Sequence, residues 1–168
     1  MKQILDDIIN DICLTENDFK LKQETIRGVN YKCFDSKILN LNDYFKLSLE
    51  YPDKDMLVFK TERYTFKSCY DLSSAFANAL IKNFNIKKGD RIAIASRNYP
   101  EWINSFIAIT SIGAIAVPLN SWWTSDELKY GIENSGAKII IADDKRYDLI
   151  KLFSDKSNLS LISIRCNA

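Results

Sequence analysis

Apolar residues recur at Ile4, Leu5, Ile8, Ile9 and Ile12. Spacings of three and four predict a short helix over residues 1–13. Residues 14–40 are mixed, with Gly28-Val29-Asn30 expected as a turn between two extended pieces. Leu41, Tyr44, Phe45 and Leu49 share one side of a second short helix over 41–49. Tyr51-Pro52-Asp53 ends it, because proline disfavours helix in the residue before it. Residues 56–60 and 63–66 look like two short strands around a tight turn at Thr61-Glu62. The second runs straight into a helix whose apolar stripe is Leu72, Ala75, Phe76, Ala79 and Leu80. Lys87-Lys88-Gly89-Asp90 is a loop.

From there strand and helix alternate. Residues 91–95 form a buried strand. Asn98 is expected to cap a helix that carries Pro100 in its first turn and runs to Ile112, where Gly113 stops it. Residues 114–119 are the next strand. Thr124 with Glu127 makes a capping box for a third helix, which ends near Ser135-Gly136. Residues 138–142 are a strand, 145–153 a helix and 159–164 a final strand. Continuous apolar strands separated by helices imply an α/β fold: a layered, mostly parallel sheet with helices on both faces. A small hairpin region precedes it. The division expected is residues 1–40 as a helix and extended lead-in, and 41–168 as the layered part.

Composition narrows the function. The chain has 168 residues, enough for one domain, and 46% are apolar, enough for a packed core. With 23 Lys+Arg against 22 Asp+Glu, the formal net charge is +1. That balance does not call for nucleic acid or an anionic membrane as partner. There is no histidine, which excludes a His-based triad, a His general base and a His-ligated metal. Cys13, Cys33, Cys69 and Cys166 lie too far apart for metal-ligand spacing, so no metal site is assigned, and they are expected as reduced thiols. Acidic residues interrupt the N-terminal apolar stretch, which therefore lacks a signal-peptide core. The stretch 103–119 is broken by polar residues, Gly113 and Pro118, and is no membrane span. The expected localisation is cytoplasmic.

Few motifs carry chemistry. There is no G-x-G-x-x-G. The run Gly131 to Lys138 nearly mimics a phosphate-binding loop. Its lysine is one residue late, no Ser or Thr follows, and it leaves a helix rather than entering one. Asp143-Asp144 follows a strand's C-terminal end, where α/β sheets bind ligands, but suits a helix cap, with Asp144 before Lys145. Trp122-Trp123 sits in a loop, either covering a core edge or stacking on a ligand or partner. Lys145-Arg146 is either a solvated pair or a phosphate contact.

Several runs together resemble one family. Tyr64-Thr65-Phe66 through Leu72 is similar to an early element of the AMP-forming acyl-CoA synthetases, the adenylate-forming ligases. Lys88-Gly89-Asp90-Arg91-Ile92 and Asn98-Tyr99-Pro100-Glu101-Trp102 match a second run of that family. Gly113-Ala114-Ile115-Ala116-Val117-Pro118-Leu119-Asn120 matches a third. Ser121 to Leu128 resembles the subgroup of fatty-acid or aromatic-acid CoA ligases. The resemblance runs from about residue 41 to 155, and more weakly back to Phe19.

The resemblance implies an incomplete N-terminal subdomain of the adenylate-forming ligase fold. It implies a reaction in which a carboxylate attacks the α-phosphate of Mg-ATP and coenzyme A then displaces AMP. The full-length family would use ATP, Mg2+ and coenzyme A on a small-molecule carboxylic acid. The family's Ser/Thr/Gly-rich phosphate loop, adenine-binding aromatic segment, ribose-binding aspartate and catalytic lysine have no counterpart in this chain. No catalytic residue is therefore assigned, and no cofactor for the chain alone. One role carries over: Asn120, Ser121 and Trp122, with Lys145 and Arg146, correspond to places that hold the coenzyme A nucleotide. Two rivals stand beside this reading. One is a non-catalytic α/β interaction module, or a split subunit that needs a partner chain or self-associates through an exposed apolar face. The other is an adenylation domain of peptide-synthetase type. The chain ends at Cys166-Asn167-Ala168, directly after an expected strand, as a chain cut short would.

Overall fold

The computed structural model describes residues 2–15, 19–36, 38, 40–154 and 159–166. The chain divides into two compact units, residues 1–40 and 41–168. In the first, helix α1 (Lys2–Thr15) precedes a two-stranded antiparallel ribbon, β1 (Leu21–Ile26) and β2 (Val29–Phe34). The helix reaches two residues beyond the expected end, and Met1 lies outside the described residues. The turn is Arg27-Gly28, one residue earlier than expected. Ile26 pairs with Val29, and the two intervening residues have φ of 50° and 81°. Positive φ at both central positions matches the right-handed twist of the flanking strands.

The second unit opens with α2 (Leu41–Lys46), continued by a 3-10 turn over Leu47–Glu50. The hairpin of β3 (Asp55–Phe59) and β4 (Glu62–Thr65) follows. Its turn is Lys60-Thr61, and Lys60 takes the left-handed φ of 53°. Thr65 then caps α3 (Phe66–Phe84), accepting the Ser68 N–H. The buried face of α3 is Cys69, Ser73, Ala77 and Leu80; of the expected stripe, Leu80 lies on it and Phe76 packs beside it. Leu72 and Ala75 are exposed. Small residues win the inner face because α3 packs along α4 (Pro100–Ser111), and they let the two helices come close. Ser73 is satisfied there by Asn104, at 3.5 Å.

The four remaining strands are β5 (Arg91–Ala95), β6 (Ile115–Pro118), β7 (Ile139–Asp143) and β8 (Ser160–Ile164). All pair in parallel, in the order β6-β5-β7-β8. Strand alternation sorts the core onto two faces. Ile92, Ile94, Ile139 and Ile141 point toward Ala77 and Leu80 of α3 and Ala108 and Ile109 of α4. Ala93, Ala95, Ile140 and Ala142 point toward α5 (Ser125–Ser135) and α6 (Asp144–Ser154), onto Leu128, Ile132 and Ile150. This is the layered α/β arrangement expected, with helices on both faces. Pro118 ends β6 at the sheet edge. The N–H of the next residue, Leu119, bonds to Ile94, so the proline lacks its N–H on the side away from β5.

Caps follow the sequence in one helix and depart from it in two. α5 has the full capping box of Thr124 and Glu127, and ends at Gly136 in the left-handed conformation (φ 65°). That fixes Gly131 to Lys138 as a helix end running into β7. α4 begins after Tyr99, with no side-chain cap and Pro100 in its first turn. The extended backbone of Tyr99 excludes Asn98 from the expected role. At α6 it is Asp143, not Asp144, that accepts the N–H three residues on, from Arg146 at 3.1 Å.

Candidate functional site

Parallel strands bring all their C-terminal ends to one edge of the sheet. From β5 the chain crosses to β6 on one side; from β7 it crosses to β8 on the other. The crevice between such diverging connections is where open α/β sheets bind ligands. Two loops and a helix start line it here: residues 96–99 after β5, residues 119–123 after β6, and residues 143–146, where β7 runs straight into α6.

A cleft of about 490 Å³ opens at this edge, lined among others by Lys60, Arg97, Ser121, Trp122, Lys145 and Arg146. Four of its lining side chains are cations, and none of its lining residues is acidic. Such a donor set suits an anion of several charges, with guanidinium forks for phosphate oxygens. Trp122 is 74% exposed, and the Arg97 guanidinium lies over its ring at 4.4 Å from the centroid. The result is a flat surface that is aromatic at its base and cationic on top.

The sequence-expected residues divide into two groups. Ser121, Trp122 and Lys145 face the cleft, and Lys145 is exposed. Asn120 lies outside the lining and braces the loop: its Oδ1 accepts the Trp122 N–H at 2.9 Å. Arg146 reaches the cleft but is buried, and its guanidinium is engaged within the protein. Its Nη1 donates to both Asp143 carboxylate oxygens at 3.1 Å, and its Nε donates to the Ser121 carbonyl at 2.8 Å. Asp143 is fully buried and also accepts the Arg97 backbone N–H at 2.9 Å.

Sequence reasoning missed two cations of the cleft and the device that positions one of them. Arg97 follows β5 as Lys145 follows β7, so the rule of strand ends applied to Lys145 also picks out Arg97. Lys60 gives no such signal; the fold delivers it. Arg165, just past β8, grips the β3–β4 hairpin. Its Nη1 and Nη2 donate to the two oxygens of Glu62 at 2.7 and 2.8 Å, and its Nε donates to Glu101 at 2.9 Å. The guanidinium also lies over Phe59 and Tyr99, at 5.2 and 5.5 Å from their centroids. Phe59 meets Tyr99 edge-on at 5.4 Å. Lys60, next to Phe59, is thereby held at the mouth of the cleft. The Arg165 and Tyr64 hydrogen bonds hold the Glu62 carboxyl at about 2, far below the usual carboxylate range. Donating to Glu62 pushes the Tyr64 hydroxyl up, and its carboxylate partners push Arg165 up as well.

A family model described as AMP-binding enzyme matches residues 46–165. The chain belongs to this family. The AMP-binding match includes the hairpin, the whole sheet and every residue lining the cleft. Among curated proteins, the chain is 29% identical over 119 residues to 4-hydroxybutyrate–CoA ligase 2 of Metallosphaera sedula, covering 71% of this chain and 20% of that one. It is 34% identical over 113 residues to 4-coumarate–CoA ligase 3 of Arabidopsis thaliana, covering 66% of this chain and 20% of that one. The solved structure of coronafacic acid ligase from Pectobacterium brasiliense superposes with a TM-score of 0.71 at 29% identity, over 77% of this chain and 26% of that chain. The chain thus spans 20% of the length of these two curated relatives. Among the described residues no group of three His, Cys, Asp or Glu side chains is placed to hold a metal ion. No helix among them is long and apolar enough to cross a membrane.

Proposed function

We propose that this chain is the N-terminal portion of an ATP-dependent, AMP-forming acyl-CoA ligase, and that its part in that enzyme is to hold the nucleotide of coenzyme A. The carrying observation is the cationic cleft at the diverging strand ends, with an exposed tryptophan at its base. Lys60, Arg97 and Lys145 suit the phosphates, and the Trp122 face opposite the stacked Arg97 guanidinium suits a nucleobase. Ser121 contributes a small polar group beside them, while Asn120 and Arg146 hold the loop that presents Trp122. The acid activated is a fatty or aromatic carboxylic acid, a reading supported by relatives named for long-chain fatty acids and for 4-coumarate.

Adenylation itself needs preorganised donors around the α-phosphate of Mg-ATP. This chain contains no Ser/Thr/Gly-rich loop ending in a lysine, so it is expected to be inactive alone. The enzyme operates in the cytoplasm in this reading. The alternative, a non-catalytic α/β module or a split subunit, draws on an apolar groove of about 320 Å³ beside β8, lined by Leu72, Phe76, Ile162 and Ile164.

Reading the coding sequence beyond the Ala168 codon, in all frames, separates the two. A Ser/Thr/Gly-rich loop with a lysine in any frame supports the ligase. No such continuation in any frame contradicts it and leaves the free-standing module.

A further inference from the structure

The two loops of the cleft are tied to the β7–α6 junction from below by one buried ion pair. Asp143 Oδ2 accepts the backbone N–H of Arg97, from the loop after β5. Asp143 Oδ1 accepts the backbone N–H of Arg146, and both carboxylate oxygens accept its Nη1. The same guanidinium donates through Nε and Nη2 to the carbonyl of Ser121, in the loop after β6. The next residue is Trp122, and its ring carries the Arg97 side chain. The contacts therefore close a ring. Backbone of 97, Asp143, Arg146 and backbone of 121 form its buried half; the Arg97 guanidinium and the Trp122 indole form its exposed half.

We propose that Asp143 and Arg146 are positioning residues of the cleft. They fix the separation of the two loops at which Arg97 and Trp122 face each other, and so preorganise the platform that receives the nucleotide. The proposal rests on the nucleotide reading of the cleft given above. Its physical basis is the choice of partners. A buried pair that serves packing alone is replaceable by apolar side chains of similar volume. This pair instead ends on two backbone groups in different loops, and apolar side chains give neither a partner. A lysine at 146 presents a point charge in place of the planar fork that serves the carboxylate and the carbonyl together.

The test compares the wild-type chain, Arg146→Lys and the double variant Asp143→Leu/Arg146→Met, which leaves no unpaired buried charge. Thermal unfolding reports the fold. The Trp122 indole N–H signal in a proton–nitrogen correlation spectrum, assigned by its loss in Trp122→Phe, reports the platform. Titration with adenosine 3′,5′-bisphosphate reports binding. The double variant is expected to unfold cooperatively, with the Trp122 signal shifted, the Trp102 and Trp123 signals in place, and the probe bound at least tenfold more weakly. Arg146→Lys is expected to shift the same signal, and it decides the matter if the double variant does not fold. An unshifted Trp122 signal in the folded variant, or wild-type affinity for the probe, overturns the proposal. Failure of the wild-type chain to bind the probe overturns the nucleotide reading instead, and the Trp122 signal then still judges the positioning role.

Discussion

Trp123 occupies the space that a side chain at position 131 would need. A Cβ placed on Gly131 would lie 2.7 Å from Cζ3 of the Trp123 ring and 3.3 Å from Leu119. Gly131 is in the middle of α5, with ordinary helical φ, so this contact rather than backbone freedom accounts for a glycine there. It also separates the two adjacent tryptophans. Trp123 turns inward against α5 and the core, which leaves Trp122 outside for Arg97.

Gly131→Ala is expected to destabilise the chain, although alanine is the better helix former. The propensity gain is about 1 kcal/mol. Forcing a methyl against a rigid indole costs about 1–3 kcal/mol. Denaturant unfolding should show a net loss, and Trp123→Leu in the same chain should recover part of it. A more stable Gly131→Ala variant would contradict the packing described.

The Glu62–Arg165 contact predicts a pH dependence. The Glu62 carboxyl is held at about 2 in the fold, against 4.5 for its ordinary value. A carboxyl lowered by folding stabilises the native state above its ordinary value, and that contribution fades as pH falls toward the folded value. Glu62→Gln lacks it throughout. Urea unfolding should therefore show the widest gap between wild type and Glu62→Gln at neutral pH, closing between about pH 4.5 and 2. Asp90 and Glu127, also held below their ordinary values, are present in both proteins and cancel from the difference. A gap that is constant with pH would contradict the contact.

Thr124 and Glu127 cap α5 reciprocally. The Thr124 N–H donates to Glu127 at 2.8 Å, and the Glu127 N–H donates to the Thr124 hydroxyl at 3.4 Å. Thr124→Ala should cost about 1 kcal/mol in denaturant unfolding, and Thr124→Ser much less. Equal losses for both would point to the methyl group rather than the cap.

The layered fold was legible because the inner strands, buried on both faces, read as unbroken apolar runs at residues 92–95 and 139–142, and Gly136 and Thr124 mark helix ends by simple local chemistry. Of the α3 stripe, Leu80 and Phe76 were legible, but Ser73 and Ala77 were not, because helix–helix approach selects them for size, which hydrophobic periodicity cannot register. The α6 cap moved by one residue because Asp143 is drawn inward by Arg97 and Arg146, and the Arg97 contact arises only once the loop after β5 meets the end of β7. Ser121, Trp122 and Lys145 of the cleft followed from strand-end placement and the family resemblance. Lys60 did not, because it arrives through Arg165, whose partners Glu62 and Glu101 are 103 and 64 residues away in sequence.

The most direct test of the central claim is calorimetric titration of the chain with adenosine 3′,5′-bisphosphate, in wild type and in Arg97→Ala, at low and moderate salt. The account predicts one binding site in the wild type, weakening as salt rises, and at least a tenfold loss in Arg97→Ala with unchanged circular dichroism. No binding heat in the wild type, or equal affinity in the two proteins, would contradict it.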